Sequence, residues 1–416
     1  MAVLLRWITL GQAIEKIRGG EEDMRILHTG DWHFGRTLEG RSRLREQEDF
    51  VDELVRMADD QQADLILMAG DVYDSVNPPA AAEQLFYEAC ARLTEGGRPF
   101  VAIAGNHDQP ERVSSVSPLV TRQGITLVGL PMANAVTVHA PRTGEIAKIA
   151  ALPYPSEARL NELLVVEGNE DDLRQAYSAR VGKLMEMLAR GFTPNTINLA
   201  MSHIYVLGGL ETDSERPIQV GGAYTVDPSA LSIGAQYTAL GHLHRSQAVK
   251  GEGMTRYSGS PLAYSFSEAG QAKSVAMLDI SPGQQPIFEE LYLSCGRPLV
   301  RWRAKGGIEE VYRWLDEDLD ARAFIDLEIT LNDALSLGEI QRLRKSREGL
   351  VHIRPIYPEM EVAEMEIQRS QLPLHEIFRK FYQRQTGGAE PDDGLVQLFL
   401  ELVEENTTVQ EEGDNE

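Results

Sequence analysis

Apolar residues early in the chain come in short runs that stop at glycine. Leu65–Ala69 and Phe100–Ala104 are such runs, ending at Gly70-Asp71 and Gly105-Asn106, and residues 25–28 are the first convincing strand before them. Runs of this length bounded by turn residues predict buried strands. Between them the period changes to that of a helix. Phe50, Leu54 and Met57 fall on one face at i, i+4 and i+7, and Leu85, Phe86, Ala89 and Leu93 do the same after Pro78-Pro79. Strand alternating with helix predicts an α/β fold, with a largely buried sheet and helices packed outside it. Ile125–Val128, Ile149–Leu152, Ile197–Met201 and Tyr237–Leu240 continue the strand series, with a helix on Leu173, Tyr177, Leu184 and Leu188. Thr255–Ser258 and Ser274–Ile280 are its closing strands, so a first domain is expected over residues 24–280.

The segment Ser281-Pro282-Gly283-Gln284-Gln285-Pro286 breaks the pattern. A small α/β unit is expected beyond it, over residues 285–358. Its strands are Ile287–Leu293, Leu299–Ala304, Phe324–Leu331 and Val351–Tyr357, with helices at Ile308–Leu319 and Leu335–Arg344. Two amphipathic stripes follow within residues 372–405, separated by Gly387-Gly388: Leu374, Ile377, Phe378 and Phe381, then Leu395, Leu398, Phe399 and Leu402. They read either as partner-docking helices or as core helices of the preceding unit. Residues 406–416 form an acidic tail expected to be disordered. Residues 1–23 precede the first convincing strand and are expected to be an extension that the fold does not need.

The chain of 416 residues holds two cysteines, Cys90 and Cys295, which cannot make a disulfide framework and fit a reducing cytoplasm. No apolar run approaches the roughly 20 residues of a membrane span, and Met1–Leu10 lacks the charged head and cleavage site of a signal peptide. The net charge of −24 argues against a stand-alone binder of long nucleic acid. Either the substrate is not a long polyanion, or cations and a partner supply the positive charge. From Glu359 onward 15 acidic residues face 4 basic ones, so almost half of the negative charge lies away from the candidate chemistry described next. Arg36, Arg41, Arg43 and Arg45 read either as a local basic strip or as a solvated loop.

Ligand-type residues end five of the predicted strands. Asp31-Trp32-His33 offers a carboxylate and an imidazole two residues apart. Gly70-Asp71-Val72-Tyr73-Asp74 puts an aspartate at the crevice where open α/β sheets hold ligands, and a carboxylate can bridge two cations. Gly105-Asn106-His107-Asp108 offers a neutral carbonyl oxygen in Asn106, a candidate proton donor in His107, and Asp108 to orient that ring. His203 ends the strand after Ile197, and His242 and His244 leave the next one with one residue between them, pointing the same way. Each motif alone reads equally as a turn or a core histidine. Together they gather five of the nine histidines into one Asp/His/Asn set, which points to a metal centre. His28, His139, His352 and His375 fit no such pattern and read as structural or surface residues.

The order Asp-x-His, Gly-Asp-x-x-Asp, Gly-Asn-His-Asp, strand-end His, Gly-His-x-His resembles the calcineurin-like metallophosphoesterase superfamily. The longer strings Thr29-Gly30-Asp31-Trp32-His33-Phe34-Gly35, Asn77-Pro78-Pro79 and Tyr257-Ser258-Gly259-Ser260-Pro261 are similar to the SbcD family of bacterial double-strand-break repair nucleases. That resemblance implies a four-layer sandwich, two mixed sheets flanked by helices, with a small DNA-capping domain and C-terminal partner-binding helices. It implies that Asp31, His33 and His244 hold one metal ion, that Asn106, His203 and His242 hold another, and that Asp71 bridges them. It also implies Mn²⁺ as cofactor, with Mg²⁺, Fe²⁺ or Zn²⁺ able to occupy an oxygen and imidazole site without thiolate. The implied activity is a 3′→5′ exonuclease on duplex ends and an endonuclease on single strands and hairpins. The implied partners are an SbcC-type SMC-like ATPase and DNA, within a heterotetramer that contains a homodimer of this chain. Two divalent cations would outweigh the two ligand carboxylates, leaving the site locally cationic inside an acidic protein. Two alternatives stand beside this one: a phosphatase on the same scaffold, and a non-catalytic subunit whose metals only stabilise the fold.

Overall fold

The computed structural model describes residues 23–156, 170–215, 224–331, 335–357, 373–385, 390–400 and 403. The expectations for residues 1–22 and for the tail from 406 lie outside the described residues, as do Leu402 and the Gly387-Gly388 break. No helix among the described residues is long and apolar enough to cross a membrane.

Two compact units divide the chain. The first runs as far as Arg301 and includes Asp320–Ile325. It holds two six-stranded sheets. In one, β1 (Met24–Thr29), β4 (Leu65–Met68), β5 (Phe100–Ile103) and β6 (Ile125–Val128) run parallel, and β13 (Ser274–Ile280) and β14 (Ile287–Tyr292) add an antiparallel edge beside β1. In the other, β8 (Ile146–Leu152), β9 (Ile197–His203), β10 (Tyr237–Gly241) and β12 (Met254–Tyr257) are parallel. There β7 (Val136–His139) and β11 (Gln247–Val249) are the antiparallel edges. A two-residue hairpin, β2 (Thr37–Leu38) with β3 (Arg41–Ser42), lies between β1 and the first helix.

Strand alternation sends each sheet's side chains into two cores. Ile26, Leu65, Leu67, Val101 and Ile103 meet Ile149, Leu199, Met201 and Ala239 between the sheets. On the outer side of the first sheet, Leu27, Ile66, Met68 and Ala102 pack against helices α1 (Leu44–Asp60) and α2 (Ala80–Leu93) through Phe50, Leu54, Phe86 and Ala89. Beyond the second sheet, Ala150, Leu152, Ala200 and Leu240 pack on Tyr177, Val181, Met185 and Leu188 of α3 (Glu170–Ala189). Helix, sheet, sheet, helix is the four-layer order. The unbroken apolar runs of β4 and β5 follow from it, because both faces of these strands are covered.

The second unit, Trp302–Leu319 and Asp326 onward, is built on a sheet of order β15 (Leu299–Ala304), β16 (Phe324–Thr330), β17 (Leu350–Ile356). Helices α4 (Ile308–Asp316) and α5 (Leu337–Ser346) belong to it, and Trp302 meets Trp314 edge-on at 5.3 Å. A capping box starts α5: Ser336 Oγ accepts the Glu339 N–H and the Glu339 carboxylate accepts the Ser336 N–H. Helix α6 (Leu374–Gln385) carries the first C-terminal stripe, and Phe378 stacks on Phe399 of the second at 4.2 Å.

Two sequence expectations change. Ile287–Tyr292, read as the first strand of the small unit, is an edge strand of the first sheet, in register with Ser274–Asp279. The Ser281–Pro286 segment is therefore a hairpin turn, whose Pro and Gly content is indistinguishable from that of a linker. The four arginines form neither a basic strip nor a uniformly solvated loop. Arg43 is fully buried, bonded to both carboxylate oxygens of Glu46 (2.6 and 2.8 Å) and to the Ala263 carbonyl, and Arg36 turns inward as well. Arg45 alone among the four is exposed.

Candidate metal centre

Strand register brings the ligand-type motifs together. Thr29 of β1 lies beside Met68 of β4, and Met68 beside Ala102 of β5, so the loops leaving these strands emerge side by side. They continue to pair: the Asp31, His33 and Phe34 N–H groups donate to the carbonyls of Gly70, Asp71 and Val72 at 2.9–3.0 Å. In the second sheet Gly241 lies beside His203. Asp31, His33, Asp71 and His242 all have positive φ, half of the eight such non-glycine residues described. Conformations of this kind cost of order 1–3 kcal/mol each and persist where surrounding structure imposes them. Glycines make the close approach possible. A Cβ on Gly105 would stand 2.1 Å from Asp71 Oδ1, and one on Gly70, itself at φ 94°, would stand 2.4 Å from His203 Nδ1.

All the predicted ligands reach one centre. Ligand atoms of Asp31, His33 and His244 converge within 4.8 Å of one another, and so do those of Asp31, Asp71 and His203. Asp71 Oδ2 lies between these groups, 3.5 Å from His33 Nε2 and 3.3 Å from His203 Nε2. Asn106 Oδ1 is 2.8 Å from His203 Nε2, and the His242 ring stands edge-on to His203 at 5.5 Å. His203 Nδ1 donates to the Ala69 carbonyl at 2.9 Å, which directs Nε2 inward. His107 borders the centre and is the least buried of its histidines.

The role expected of Asp108 needs correcting. Its carboxylate accepts the N–H groups of Val72, Tyr73 and Gly105 at 2.8–3.1 Å, so it braces two loops against each other. The His107 ring is held instead by the carbonyl of Asp74, which accepts from Nδ1 at 2.8 Å. The Asp74 carboxylate lies 3.4 Å from His33 Nδ1, and with His33 and His107 it makes a third close set. Asp74 was visible in its motif, but no spacing rule gave it this place. Ser214, Glu215, Glu268 and Lys273 also surround His244, and nothing local in the sequence marks them.

The electrostatics suit a cation. Burial pushes the Asp31 carboxyl up to about 7, and burial pushes the His33 and His242 imidazoles well below their ordinary value, so both are neutral donors. Burial also opposes the charge on His203 and on Asp71. Their mutual attraction, aided at His203 by Asp31 and at Asp71 by His107 and His33, wins: the His203 imidazole rises to about 9 and the Asp71 carboxyl falls well below the carboxylate range. The proton on His203 thus marks a place where positive charge is stabilised. His33 Nε2 and His244 Nε2 face each other at 3.1 Å, while His33 Nδ1 is buried without a hydrogen bond. Imidazole nitrogens, an amide oxygen and carboxylates gathered in this way fit divalent cations.

A family match covers the strand ends that carry this centre. The model of the calcineurin-like phosphoesterase family, which binds divalent metals, matches residues 24–246. A model described as the type 5 capsule protein repressor C-terminal domain matches residues 295–386. The chain is 53% identical to the SbcD subunit of the nuclease SbcCD from Bacillus subtilis (strain 168), over 91% of this chain and 98% of that one. It is 35% identical to the like-named protein from Rhodobacter capsulatus, over 68% and 72%. Among solved structures, a dimetal phosphatase from Danio rerio is similar with a TM-score of 0.37 at 10% identity, over 65% of this chain and 96% of that one. With the metal-type centre lying inside the matched region and the match to the Bacillus subtilis nuclease subunit running nearly end to end, the chain belongs to the calcineurin-like phosphoesterases, in their SbcD family of nuclease subunits.

Proposed function

We propose that this chain is a Mn²⁺-dependent DNA nuclease subunit, a 3′→5′ exonuclease on duplex ends and an endonuclease on single strands and hairpins. It works with an SbcC-type SMC-like ATPase in DNA end processing during repair, recombination and replication. The observation that carries the reading is the position of Asp71 Oδ2 between His33 Nε2 and His203 Nε2, as a carboxylate shared by two sites would be. Asp31, His33 and His244 would hold one ion, Asn106, His203 and His242 the other, with Asp71 bridging. Oxygen and imidazole donors favour Mn²⁺, with Mg²⁺ as the alternative. When bound, two such ions activate water and neutralise charge on a phosphodiester.

The chain's own residues do the rest. His107 keeps Nδ1–H on the Asp74 carbonyl, so Nε2 is the nitrogen that, in the imidazolium form, would give a proton to the departing 3′ or 5′ oxygen and return to the neutral ring. Asp108 fixes the Asp71 and Asn106 loops without touching that ring. In this reading the second unit caps DNA, and the two C-terminal stripes dock the ATPase. Leu374, Phe381 and Leu398 support docking, because these apolar side chains are 43–57% exposed. The partner and a homodimer of this chain would complete a heterotetramer, in which the partner supplies the basic surface that a chain of net charge −24 lacks.

A nuclease assay tests this directly. Purified chain, with and without the ATPase, is given free-ended duplex, end-blocked duplex and hairpin DNA with each metal in turn. Mn²⁺-dependent cleavage of the free-ended duplex from its 3′ ends, and of the hairpin, is expected. Intact DNA under every condition contradicts the reading, and preferential turnover of phosphomonoesters would favour a phosphatase.

A further inference from the structure

The loop Thr212–Glu215 lies beside His244, and none of its residues belongs to the ladder of ligand motifs. Glu215 Oε1 accepts the His244 N–H at 2.8 Å, and its Oε2 accepts the Thr212 N–H at 2.6 Å. Thr212 Oγ1 is 2.7 Å from that same Oε2 and 2.7 Å from Ser214 Oγ. Ser214 Oγ in turn is 2.7 Å from His244 Nδ1. Ser214 and Glu215 are both buried.

These contacts permit one direction of donation. A carboxylate only accepts, so the Thr212 hydroxyl gives its proton to Glu215. Having spent its single proton there, Thr212 Oγ1 accepts from Ser214. Ser214 Oγ, committed in the same way, can only accept from the imidazole. The His244 proton therefore sits on Nδ1, and Nε2 keeps its lone pair facing His33 Nε2 at 3.1 Å. We propose that Thr212, Ser214 and Glu215 form a relay that fixes the tautomer of His244, so that Nε2 is presented as a ligand to a divalent cation.

Other groups near the ring do not set this direction. Glu268 Oε1 is 3.7 Å from Nδ1, too long for a hydrogen bond, and it accepts the N–H groups of Tyr264 and Ser265. Its other oxygen is taken by Lys273. Arg36 steadies the loop by donating to the Ser214 carbonyl at 2.8 Å. Metal-ligating histidines are generally oriented through their second ring nitrogen, and loss of such a partner typically costs 10–100-fold in metal affinity. Here the orienting partner is a hydroxyl whose own direction is set two bonds further on.

The inference rests on the reading of His244 as a ligand. The test is Mn²⁺ titration of the full chain, followed by electron paramagnetic resonance, for wild type, Thr212→Val, Thr212→Ser and His244→Ala. In Thr212→Val the Ser214 hydroxyl loses its acceptor and turns to donate into Nδ1, which moves the imidazole proton to Nε2. Affinity at one Mn²⁺ site should fall by about tenfold or more, and Thr212→Ser should restore it. Wild-type affinity at both sites in Thr212→Val overturns the relay, as does a Thr212→Ser chain as weak as Thr212→Val. If His244→Ala itself binds both ions like the wild type, the ligand reading falls, and the relay with it.

Discussion

The two sheets share a plan, four parallel strands with antiparallel edges, yet their strand ends carry different chemistry. The loops leaving β1, β4 and β5 bring Asp31, His33, Asp71 and Asn106, including every carboxylate in the proposed ligand set. The end of β9 and the loop leaving β10 bring His203, His242 and His244, imidazoles alone. Each proposed ion needs donors from both sheets. The difference also shows in what supports each side. Carboxylate-bearing loops are stitched backbone to backbone and braced by Asp108, whereas His203 and His244 are aimed singly through their second nitrogens by Ala69 and Ser214. On the proposed function, the core between the sheets sets the distance between the two groups of donors.

The largest expected effect separates chemistry from metal holding on the first sheet's side. His107→Leu should lower Mn²⁺-dependent cleavage by about 10²–10⁴-fold while leaving Mn²⁺ content unchanged. Retained cleavage would remove His107 from its role, and lost metal would make it a ligand.

A middle-sized effect probes the seam between the sheets. Tyr237 of the second sheet meets His28 Nδ1 of the first at 2.8 Å in the buried core. Tyr237→Phe leaves that nitrogen without its partner and should cost about 1–3 kcal/mol in urea unfolding, with Mn²⁺ binding intact. Unchanged stability would show that the sheets are not pinned there.

The smallest effect is a pH dependence of the metal-free chain. The folded His203 imidazole stands at about 9 against an ordinary 6.5, so folding takes up a proton between those values. That stability is fully present below about 6.5 and is lost as pH rises through 9. Asp31, raised to about 7, acts in the same direction in a lower window that starts near 4. The thermal midpoint of metal-free protein should fall from pH 6.5 to 9, and Mn²⁺, which in the proposed ligand set would displace the His203 proton, should flatten the decline. A midpoint that rises over that range contradicts the electrostatic assignment.

Much of this was legible in the sequence because the relevant signals are local. Apolar runs such as Leu65–Ala69 end where covered strands end, and the glycine after each is required by its neighbours: nothing larger fits beside Asp71 at Gly105. The motifs of the proposed ligand set could be read because they sit at strand ends, where topology makes sequence order into spatial proximity. Supporting contacts follow no such rule. Glu268 and Lys273 reach His244 across more than twenty residues, and the Ser214 relay depends on a loop with no period. Adjacency misled at Asp108, since neighbours in a turn point different ways. Composition misled at Ser281–Pro286, where a hairpin turn looks like a linker, and at Arg43, whose burial depends on Glu46 in the following helix.

The central claim is that donors from both sheets hold a pair of ions through one shared carboxylate. Its most direct test is the number of Mn²⁺ ions bound per chain, counted by electron paramagnetic resonance with parallel elemental analysis, in wild type and in Asp71→Ala. Wild type should bind two ions close enough to couple magnetically, and Asp71→Ala should lose both the coupling and the cleavage of duplex DNA. A wild-type chain that cleaves DNA with a single bound ion, or an Asp71→Ala chain that keeps a coupled pair, would contradict the claim.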